Sequence, residues 1–380
     1  MKTDDTIWDI EPHTEAKHEI LRYYLNAWFP ILATTHNRLL YVDGFAGPGE
    51  YYKKDGSLTD GSPIIALKVA KDHLLRNKLQ HPKKDLKFLL IEKDEGRYQN
   101  LTRKCKEIQW PSNFDIIPRN ASFEEIFDDV LVKIEEQNKQ LAPSFVFIDP
   151  FGPTGFPMYL IERLAQQPRS EILITFNSQA LNRWYLSDSK KYKYVDDIYG
   201  SDIWLPALSI SNTRQRENYL IEAYQKVIEQ LGWRGRSFRM INKNSQTQYY
   251  LFFATSHCEG MLAMKAAMWS VAKAGDFTYS DLTDPQQLLL FDEELFDEDY
   301  SQNLALQLYE NHRGQSILKQ TLIRNDLAWH PICIGRHLTR ALKILEYEST
   351  PQRILAVQNP YNRKRKKGSY PDDCTIVFAP

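Results

Sequence analysis

The sequence predicts an α/β protein in which a doubly wound, mostly parallel Rossmann-like sheet is followed by a small C-terminal winged helix-turn-helix domain. Short apolar runs alternate with helical patterns through the first half of the chain, which predicts the sheet. Three helical patterns and then two strand-like runs around a basic loop predict the smaller domain. We therefore expect a sheet domain of residues 1–285, an acidic linker of residues 286–300 and a winged-helix domain of residues 301–380.

The elements of the sheet domain follow each other closely. Apolar residues at helical spacing predict a first helix over HTEAKHEILRYYLNAWFPILATT, which Pro30 is expected to end or kink near its last turn. Five β-rich runs then alternate with helical segments, and they read NRLLYVD, LKFLLIE, NFDIIPRN, SFVFID and EILITF. Ser62 and Pro63 form a typical helix start, and Ser122 with Glu125 forms a capping box. A later antiparallel strand is expected over SQTQYYLFFATSH, and an amphipathic helix over GMLAMKAAMWSVAKAG.

Basic residues mark the predicted winged-helix domain. They lie on its third helix, IGRHLTRALKILEYE, and in the loop NRKRKK between its two strands. Such positions hold phosphates in winged helices, so we expect nucleic-acid contacts from Arg336, Arg340, Arg363, Lys364 and Arg365. A solvated basic loop, or a docking surface for a protein, explains the same charges equally well.

Composition narrows the class of protein. The chain has 380 residues and a net charge of -1, so no global positive field indicates nucleic acid. Its four cysteines lack paired spacing, which predicts neither a metal site nor a disulfide framework. No segment has the length and apolarity of a membrane span, and we expect a cytoplasmic protein without membrane contact.

A polar side chain ends each of the first four predicted strands. These residues are Asp43, Glu92, Asn120 and Asp149. The carboxyl ends of parallel strands share one edge of a doubly wound sheet, and ligands bind there near the point where the strand order reverses. We therefore expect the four side chains to line one ligand site.

The turn after the first strand reads DGFAGPG. Its acid precedes the glycines, unlike the dinucleotide fingerprint GxGxxG, and no GK[ST] follows as in a phosphate-binding loop. Pro48 also removes a backbone donor that a pyrophosphate would need. These features favour a ligand without a phosphate chain. S-adenosylmethionine fits them, because its amino-acid end is zwitterionic and its adenosine is neutral.

The strand ends suit the parts of this cofactor. Asp43 would accept from the ammonium, Glu92 from both ribose hydroxyls, and Asn120 with Ala121 would contact the adenine edge. The turn itself would bring backbone against the methionine and ribose, which assigns cofactor contacts to Gly44, Phe45, Gly47 and Gly49. The alternatives are an ordinary tight turn for the glycines, a surface acid at Glu92 and a capping role for Asn120.

The fourth strand ends in the tetrad DPFG. It resembles the D-P-P-[YF] motif of amino-group methyltransferases, in which the acid and a proline carbonyl accept hydrogen bonds from an exocyclic amine and the aromatic ring stacks on the base. The resemblance implies catalytic roles for Asp149, Pro150 and Phe151, with Phe156 as a second candidate for the stacking ring. Phenylalanine replaces the second proline, so the match is partial, and an Asp-Pro turn is the alternative.

Several motifs together resemble the three-Cys-motif partner proteins of bacteria: TEAKHEILRYYLNAW, YVDGFAGPGEY, DGSPIIAL, FLLIEKD and FVFIDPFGPTGF. The resemblance implies a class I methyltransferase fold, a winged-helix-like C-terminal domain, and a companion protein of the radical S-adenosylmethionine type with a three-cysteine motif. It also matches Lys17 and His18, which would cover the cofactor or contact a substrate.

The leading hypothesis is thus an S-adenosylmethionine-dependent methyltransferase that acts on an amino group, for example of a nucleobase. The second hypothesis is a catalytically silent protein of the same fold that docks nucleic acid or the companion protein.

Overall fold

The computed structural model describes residues 6–75, 84–272, 276–283, 293–360 and 364–380. The chain divides into two compact units. The N-terminal unit comprises Met1–Ser256 with Tyr279–Leu282, and the C-terminal unit comprises His257–Thr278 with Thr283–Pro380. We predicted a boundary at residue 285, but the predicted amphipathic helix near residue 260 belongs to the C-terminal unit. The buried ammonium of Lys265 explains this, since it donates to carbonyl oxygens of that unit.

The N-terminal unit is built on an eight-stranded sheet with the order β10-β8-β9-β7-β6-β1-β4-β5, beside which β2 and β3 form a hairpin. The strands of both are β1 (Arg38–Asp43), β2 (Glu50–Tyr52), β3 (Leu58–Asp60), β4 (Asp85–Ile91), β5 (Phe114–Arg119), β6 (Ser144–Ile148), β7 (Ser170–Phe176), β8 (Arg234–Ile241), β9 (Thr247–Thr255) and β10 (Thr278–Ser280).

The five predicted parallel strands are confirmed as β1, β4, β5, β6 and β7. The predicted antiparallel strand is confirmed as β9, which pairs with β7 and β8. The sequence did not predict β8, because arginines interrupt its apolar residues, and it did not predict the three-residue strands β2, β3 and β10.

Helices cover both faces of this sheet. Those before residue 257 are α1 (Pro12–Ala33), α2 (Ser62–Leu75), α3 (Glu95–Glu107), α4 (Phe123–Glu136), α5 (Met158–Ala165), α6 (Ser178–Ala180), α7 (Tyr192–Tyr199) and α8 (Thr213–Gln230). Adjacent strand residues pack in opposite directions, as the pleat requires. Tyr41 packs with Phe88 on the face that α1 covers, whereas Val42 joins the apolar cluster with Phe127 of α4. The predicted capping box at Ser122 is confirmed at the start of α4.

The strand order reverses beside β1. The chain runs from β1 through β4 to β5 on one side, and returns to β6 and β7 on the other side. The switch point therefore lies between β1 and β6. Asp43 ends β1, while Glu92 and Asp149 directly follow β4 and β6, so their backbones meet at one edge of the sheet.

The C-terminal unit contains the predicted helices and strands and one strand more. Its elements are α9 (Cys258–Val271), α10 (Glu293–His312), β11 (Ser316–Leu318), α11 (Lys319–Leu322), α12 (Gly335–Lys343), β12 (Ile354–Gln358) and β13 (Thr375–Phe378). Single π-helical turns extend α11 and α12 to Leu327 and Glu348. The strands form an antiparallel sheet in the order β11-β13-β12 around an apolar core that includes Leu338 and Ile376.

The predicted acidic linker is wrong over residues 293–300, which form the first turns of α10. Two of its carboxylates, those of Asp297 and Glu298, form ion pairs with arginines of α12. Residues 286–292 of the linker lie outside the described residues. Among the helices that the structure describes, none combines the length and the apolar character needed to cross a bilayer.

Candidate functional site

Asp43 lies fully buried at the carboxyl end of β1. Its Oδ2 accepts a hydrogen bond from the Tyr41 hydroxyl at 3.2 Å, and its Oδ1 accepts from the Phe45 amide at 3.4 Å. Burial raises the pKa of Asp43 to about 7, against the opposing effect of a hydrogen bond from Ser62, and the charge of Asp149 raises it further. Because burial destabilises the ionised form of Asp43, a cation bound beside this carboxylate would stabilise it.

Glu92 is the second buried acid of the site. It is 5% exposed and lies one residue beyond β4. Its Oε2 accepts from the Gly47 amide at 2.9 Å, and its Oε1 accepts from the Asp94 amide at 2.8 Å. Burial raises the pKa of Glu92. A carboxylate oxygen has two lone pairs, so each oxygen can still accept from a ligand hydroxyl.

The glycines of the turn have different roles. A Cβ on Gly44 would lie 2.7 Å from the Phe123 ring, so core packing by itself requires glycine at this position. Gly49 has a φ of +81°, and its Cβ would lie 3.2 Å from a methyl group of Leu101. Gly47 has a φ of +61°, and the nearest atom to its Cβ position is the Tyr51 hydroxyl at 3.7 Å. Of these three glycines, Gly47 alone has a Cβ position without a crowded neighbour.

Phe45, the remaining predicted contact of the turn, packs its ring 6.1 Å from that of Phe123. Its side chain is therefore part of the core edge, and only its backbone faces Asp43.

Asn120 links the ends of β5 and β4 through hydrogen bonds. Its Nδ2 donates to the carbonyl oxygens of Glu92 and Lys93 at 3.0 and 3.1 Å. Among the hydrogen bonds of the described residues none uses its Oδ1, which is the atom that a ligand amine would contact. Asn120 is exposed and Ala121 is half-buried, as expected of residues at the rim of a site.

Asp149 forms an ion pair that the sequence did not predict. The Nζ of Lys17 lies 2.5 Å from Asp149 Oδ2, although the two residues are 132 positions apart. Lys17 is 4% exposed, and its ammonium lies 5.2 Å from the centre of the Tyr249 ring. The fold thus places Lys17 of α1 beside Asp149 of the DPFG tetrad, and the carboxylate of Asp149 binds the ammonium group of Lys17.

His18 follows Lys17 and is also buried. Burial and the neighbouring Lys17 charge lower its pKa to about 3, so the imidazole is neutral near pH 7. Its ring lies 5.6 Å from that of Tyr51. His18 is therefore a buried, neutral imidazole beside Lys17 and Tyr51.

Phe151 is 68% exposed and belongs to an aromatic cluster at the mouth of the site. The Arg97 guanidinium lies 4.6 Å from the Phe151 ring and 4.9 Å from the Trp8 ring. Trp8 in turn lies 5.3 Å from Tyr51. The sequence did not identify Trp8 or Arg97. The alternative stacking ring, Phe156, is wrong because it is fully buried in the core.

The predicted nucleic-acid contacts of the C-terminal unit are paired internally. Arg336 binds Asp297 through two bonds of 2.7 and 3.0 Å, and Arg340 binds Glu298 through bonds of 2.6 and 2.7 Å. Two further pairs hold Arg340 to Glu348 and Arg365 to Glu346, while Lys364 is exposed and Arg363 lies outside the described residues. Contact with phosphates would require these arginines to exchange carboxylate partners, so the prediction has no direct support here.

A cavity of about 720 Å³ lies away from these residues. Arg38, Leu141 and Pro143 line it, and they mark the amino-terminal edge of β1 and β6. None of the predicted site residues lines this cavity. Ligands of open α/β sheets bind at the opposite, carboxyl-terminal edge, so we place the candidate site there.

No family model matches the chain, and no curated protein matches its sequence. Among solved structures, Trm1 from Pyrococcus horikoshii with S-adenosyl-L-methionine is similar, with 10% identity, 67% of this chain covered and a TM-score of 0.36. This chain spans only 57% of the length of that Trm1 chain.

Two further solved structures are similar at the same level. Protein LPL1258 from Legionella pneumophila has 13% identity, with 65% of this chain and 86% of that chain covered and a TM-score of 0.37. The O-methyltransferase from Bacillus cereus in complex with SAH has 12% identity, with coverages of 65% and 82% and a TM-score of 0.33. Similarities of this size define neither a substrate nor a reaction.

Proposed function

We propose that the protein is an S-adenosylmethionine-dependent methyltransferase that acts on an amino group. One observation carries the proposal: the buried acids Asp43 and Glu92 lie at neighbouring strand ends beside the switch point of the sheet, and they accept from the Phe45 and Gly47 amides of the same turn. A phosphate-bearing cofactor would be repelled by two buried carboxylates, whereas a ligand with an ammonium and two ribose hydroxyls pairs with both.

The residues present fit this cofactor. Asp43 would hold the ammonium, Glu92 the ribose hydroxyls, and Gly47 offers backbone without a side chain in the way. Asn120 would accept from the adenine amine through Oδ1. The bound cofactor supplies a methyl group on a sulfonium, which is activated for transfer to a nucleophile without metal or acid.

The acceptor side of the site is built on Asp149. Its carboxylate already holds the amine of Lys17, which supports an amino group as the methyl acceptor. An acceptor amine would take the place of the Lys17 ammonium, with its N–H groups donated to Asp149 and to the Pro150 carbonyl. Phe151 offers an exposed ring, beside the half-buried Trp8, for a flat acceptor such as a nucleobase.

Cofactor binding and methyl transfer are tested separately. Calorimetric titration with S-adenosylmethionine should show one site in the wild type. Incubation with methyl-labelled cofactor and DNA, RNA or companion protein should then label one acceptor class. Asp149→Ala should abolish the labelling and leave cofactor binding intact, because Asp149 holds the acceptor and not the cofactor.

A matched control for Asp149→Ala is Asp115→Ala. Asp115 also forms a 2.5 Å ion pair with a lysine, Lys87, but this pair is exposed on β4 and β5. Asp115→Ala should retain full labelling. Loss of labelling in both variants, or labelling that survives Asp149→Ala, contradicts the role of Asp149.

The Lys17–Asp149 pair also favours a second candidate function. If the ion pair is permanent, Asp149 is unable to hold a substrate amine, and the protein is a catalytically silent partner that keeps only the fold and the cofactor site. Cofactor binding without transfer to any of the three acceptor classes, in the wild type and in Lys17→Met, supports this alternative.

For the C-terminal unit we propose a winged helix-turn-helix that docks the three-Cys-motif companion of the radical S-adenosylmethionine type. The order helix, strand, two helices and two strands from α10 to β13 supports this topology. Paired arginines on α12 favour docking to a protein over direct phosphate contact. Co-purification of the two proteins tests this interaction. Replacement of Lys364 and Lys366 by glutamate should abolish the co-purification.

A further inference from the structure

A second cavity, of about 620 Å³, opens at the carboxyl-terminal edge of the N-terminal unit's sheet. Asn182 and Arg183, which follow β7, line one side of it. Arg239 near the end of β8 and Thr247 at the start of β9 line the other side. The cavity lies on the same edge of the sheet as Asp149, and its lining strands β9 and β8 are two and three positions from β6, or about 10–15 Å.

The cavity is strongly cationic in a chain whose net charge is -1. Four arginines and one glutamate are its charged lining residues, which leaves a formal charge of +3 on Arg183, Arg214, Arg216, Arg239 and Glu217. Its remaining lining residues are uncharged, and most carry hydroxyl or amide donors. A concave site with this charge attracts anions strongly.

Hydrogen bonds to neighbouring side chains position two of these arginines, Arg214 and Arg216. The buried carboxylate of Glu217 accepts from Ser178 at 2.9 Å, from Thr247 at 3.2 Å and from Arg214 Nη1 at 3.3 Å. Arg216 uses its Nε to bind the Asn182 side chain. A guanidinium has five N–H donors, so Arg214 and Arg216 retain donors for bidentate contact with a phosphate.

The cavity continues into an exposed surface of aromatic and basic residues. Arg183 lines the cavity and also lies 5.6 Å from the ring of Trp184, which is 55% exposed. Beyond it, Lys191 lies 5.4 Å from the Tyr185 ring and Lys193 4.9 Å from the Tyr194 ring. Alternation of cations with exposed rings is the arrangement that binds single-stranded nucleic acid through its phosphates and bases.

We propose that this cavity binds a backbone phosphate of a single-stranded nucleic acid, with the adjoining base stacked on Trp184. The inference rests on the proposed function in one respect: it takes the bound strand to be the molecule whose nucleobase amine reaches Asp149. A strand leaving the cavity along the sheet edge passes the end of β6. The phosphate site itself requires no methyl transfer.

The test measures binding of a fluorescent 12-nucleotide single strand, as DNA and as RNA, by anisotropy between 0.05 and 0.3 M salt, concentrations chosen so that phosphate contacts dominate. Arg183→Gln/Arg216→Gln should lower the slope of log K against log salt by about 0.7, the value for one lost phosphate contact, and weaken binding about fivefold at 0.1 M salt. Trp184→Ala should weaken binding roughly tenfold or more through lost stacking.

The matched control is Arg38→Gln/Arg169→Gln, which removes the same charge from exposed arginines at the amino-terminal edge of β1 and β7. It should leave the slope unchanged. An equal loss in the control, or no loss in the cavity variant, overturns the proposal. Displacement of the strand by inorganic phosphate or a mononucleotide at equal concentration also overturns it, because the ligand is then a small anion.

The two proposals fail in different ways. Strand binding that depends on Arg183 and Arg216, without any labelled methyl transfer, leaves this inference standing and removes the proposed function. Methyl transfer to a protein amine by a chain that binds no strand removes this inference and leaves the function standing. Cofactor titration in the cavity variant should equal that of the wild type in either case.

Discussion

The affinity for S-adenosylmethionine should depend on pH through Asp43. Burial raises the pKa of this carboxyl to about 7 in the free protein, and only the ionised form pairs with an ammonium. The apparent dissociation constant is the intrinsic one divided by the ionised fraction. That fraction is about one half at pH 7 and about 1% at pH 5, so affinity should fall about 50-fold, or about 2.3 kcal/mol, between these values.

The ligand contributes little to this change. Its α-ammonium, with an ordinary pKa near 8, is mostly protonated from pH 5 to pH 7. The charge of His18 also does not change between pH 5 and pH 7, because its pKa is lowered to about 3. Glu92, whose pKa burial raises, would steepen the fall at the low end of the range.

Isothermal titration of the wild type and of Asp43→Asn at pH 5, 6 and 7 measures the effect, with circular dichroism to verify folding at each pH. Asp43→Asn should bind weakly at pH 7 and lose most of the pH dependence. A wild-type affinity that stays constant from pH 7 to pH 5 would refute the assignment of Asp43 to the ammonium. The same 50-fold fall in Asp43→Asn would refute it as well.

Three further predictions concern stability, each measured by denaturant titration. Because the folded-state pKa of Asp43 is about 7, its contribution to stability is complete below pH 4 and is lost as the pH rises through 7. Asp43→Asn should therefore stabilise the free protein by about 4 kcal/mol at pH 8 and by less than half of that at pH 5. An equal gain at both pH values would contradict this account. Gly44→Ala should destabilise the N-terminal unit by about 1–3 kcal/mol, since its Cβ meets the Phe123 ring at 2.7 Å, whereas Gly152→Ala, with no atom within 4 Å, should be neutral. Similar losses in both alanine variants would argue against the clash. Lys265→Met should destabilise the C-terminal unit by about 3 kcal/mol, because three carbonyl oxygens at 2.7, 2.9 and 2.8 Å lose their buried donor; an unchanged unfolding midpoint would show that water replaces the ammonium.

The strands β1, β4, β6 and β7 could be predicted because most of their residues are buried on both faces. Their runs of apolar residues, such as FVFI in β6, need no tertiary information to be recognised, and the acids that end the first, second and fourth runs mark the functional edge. β8 escaped prediction for the opposite reason. It lies next to the sheet edge with arginines on its partly exposed positions, so its apolar period is interrupted.

The roles of individual site residues were less predictable. The sequence shows the glycines of the turn but not which of them face a core ring, and Phe123 alone determines that Gly44 serves packing. Trp8 and Arg97 lie far apart in the chain and carry no motif, so nothing in the sequence indicates that both contact the Phe151 ring.

The sequence by itself determined which segments are buried, where helices begin and which acids follow a strand, because these features depend on neighbours within a few residues. The pairing of charges was decided only by folding. Lys17 meets Asp149, and the acidic residues Asp297 and Glu298 meet Arg336 and Arg340, across 39 to 132 positions. Coulomb attraction acts through space and falls with distance, so a carboxylate's partner, and with it the difference between a binding site and a structural ion pair, follows from the tertiary arrangement.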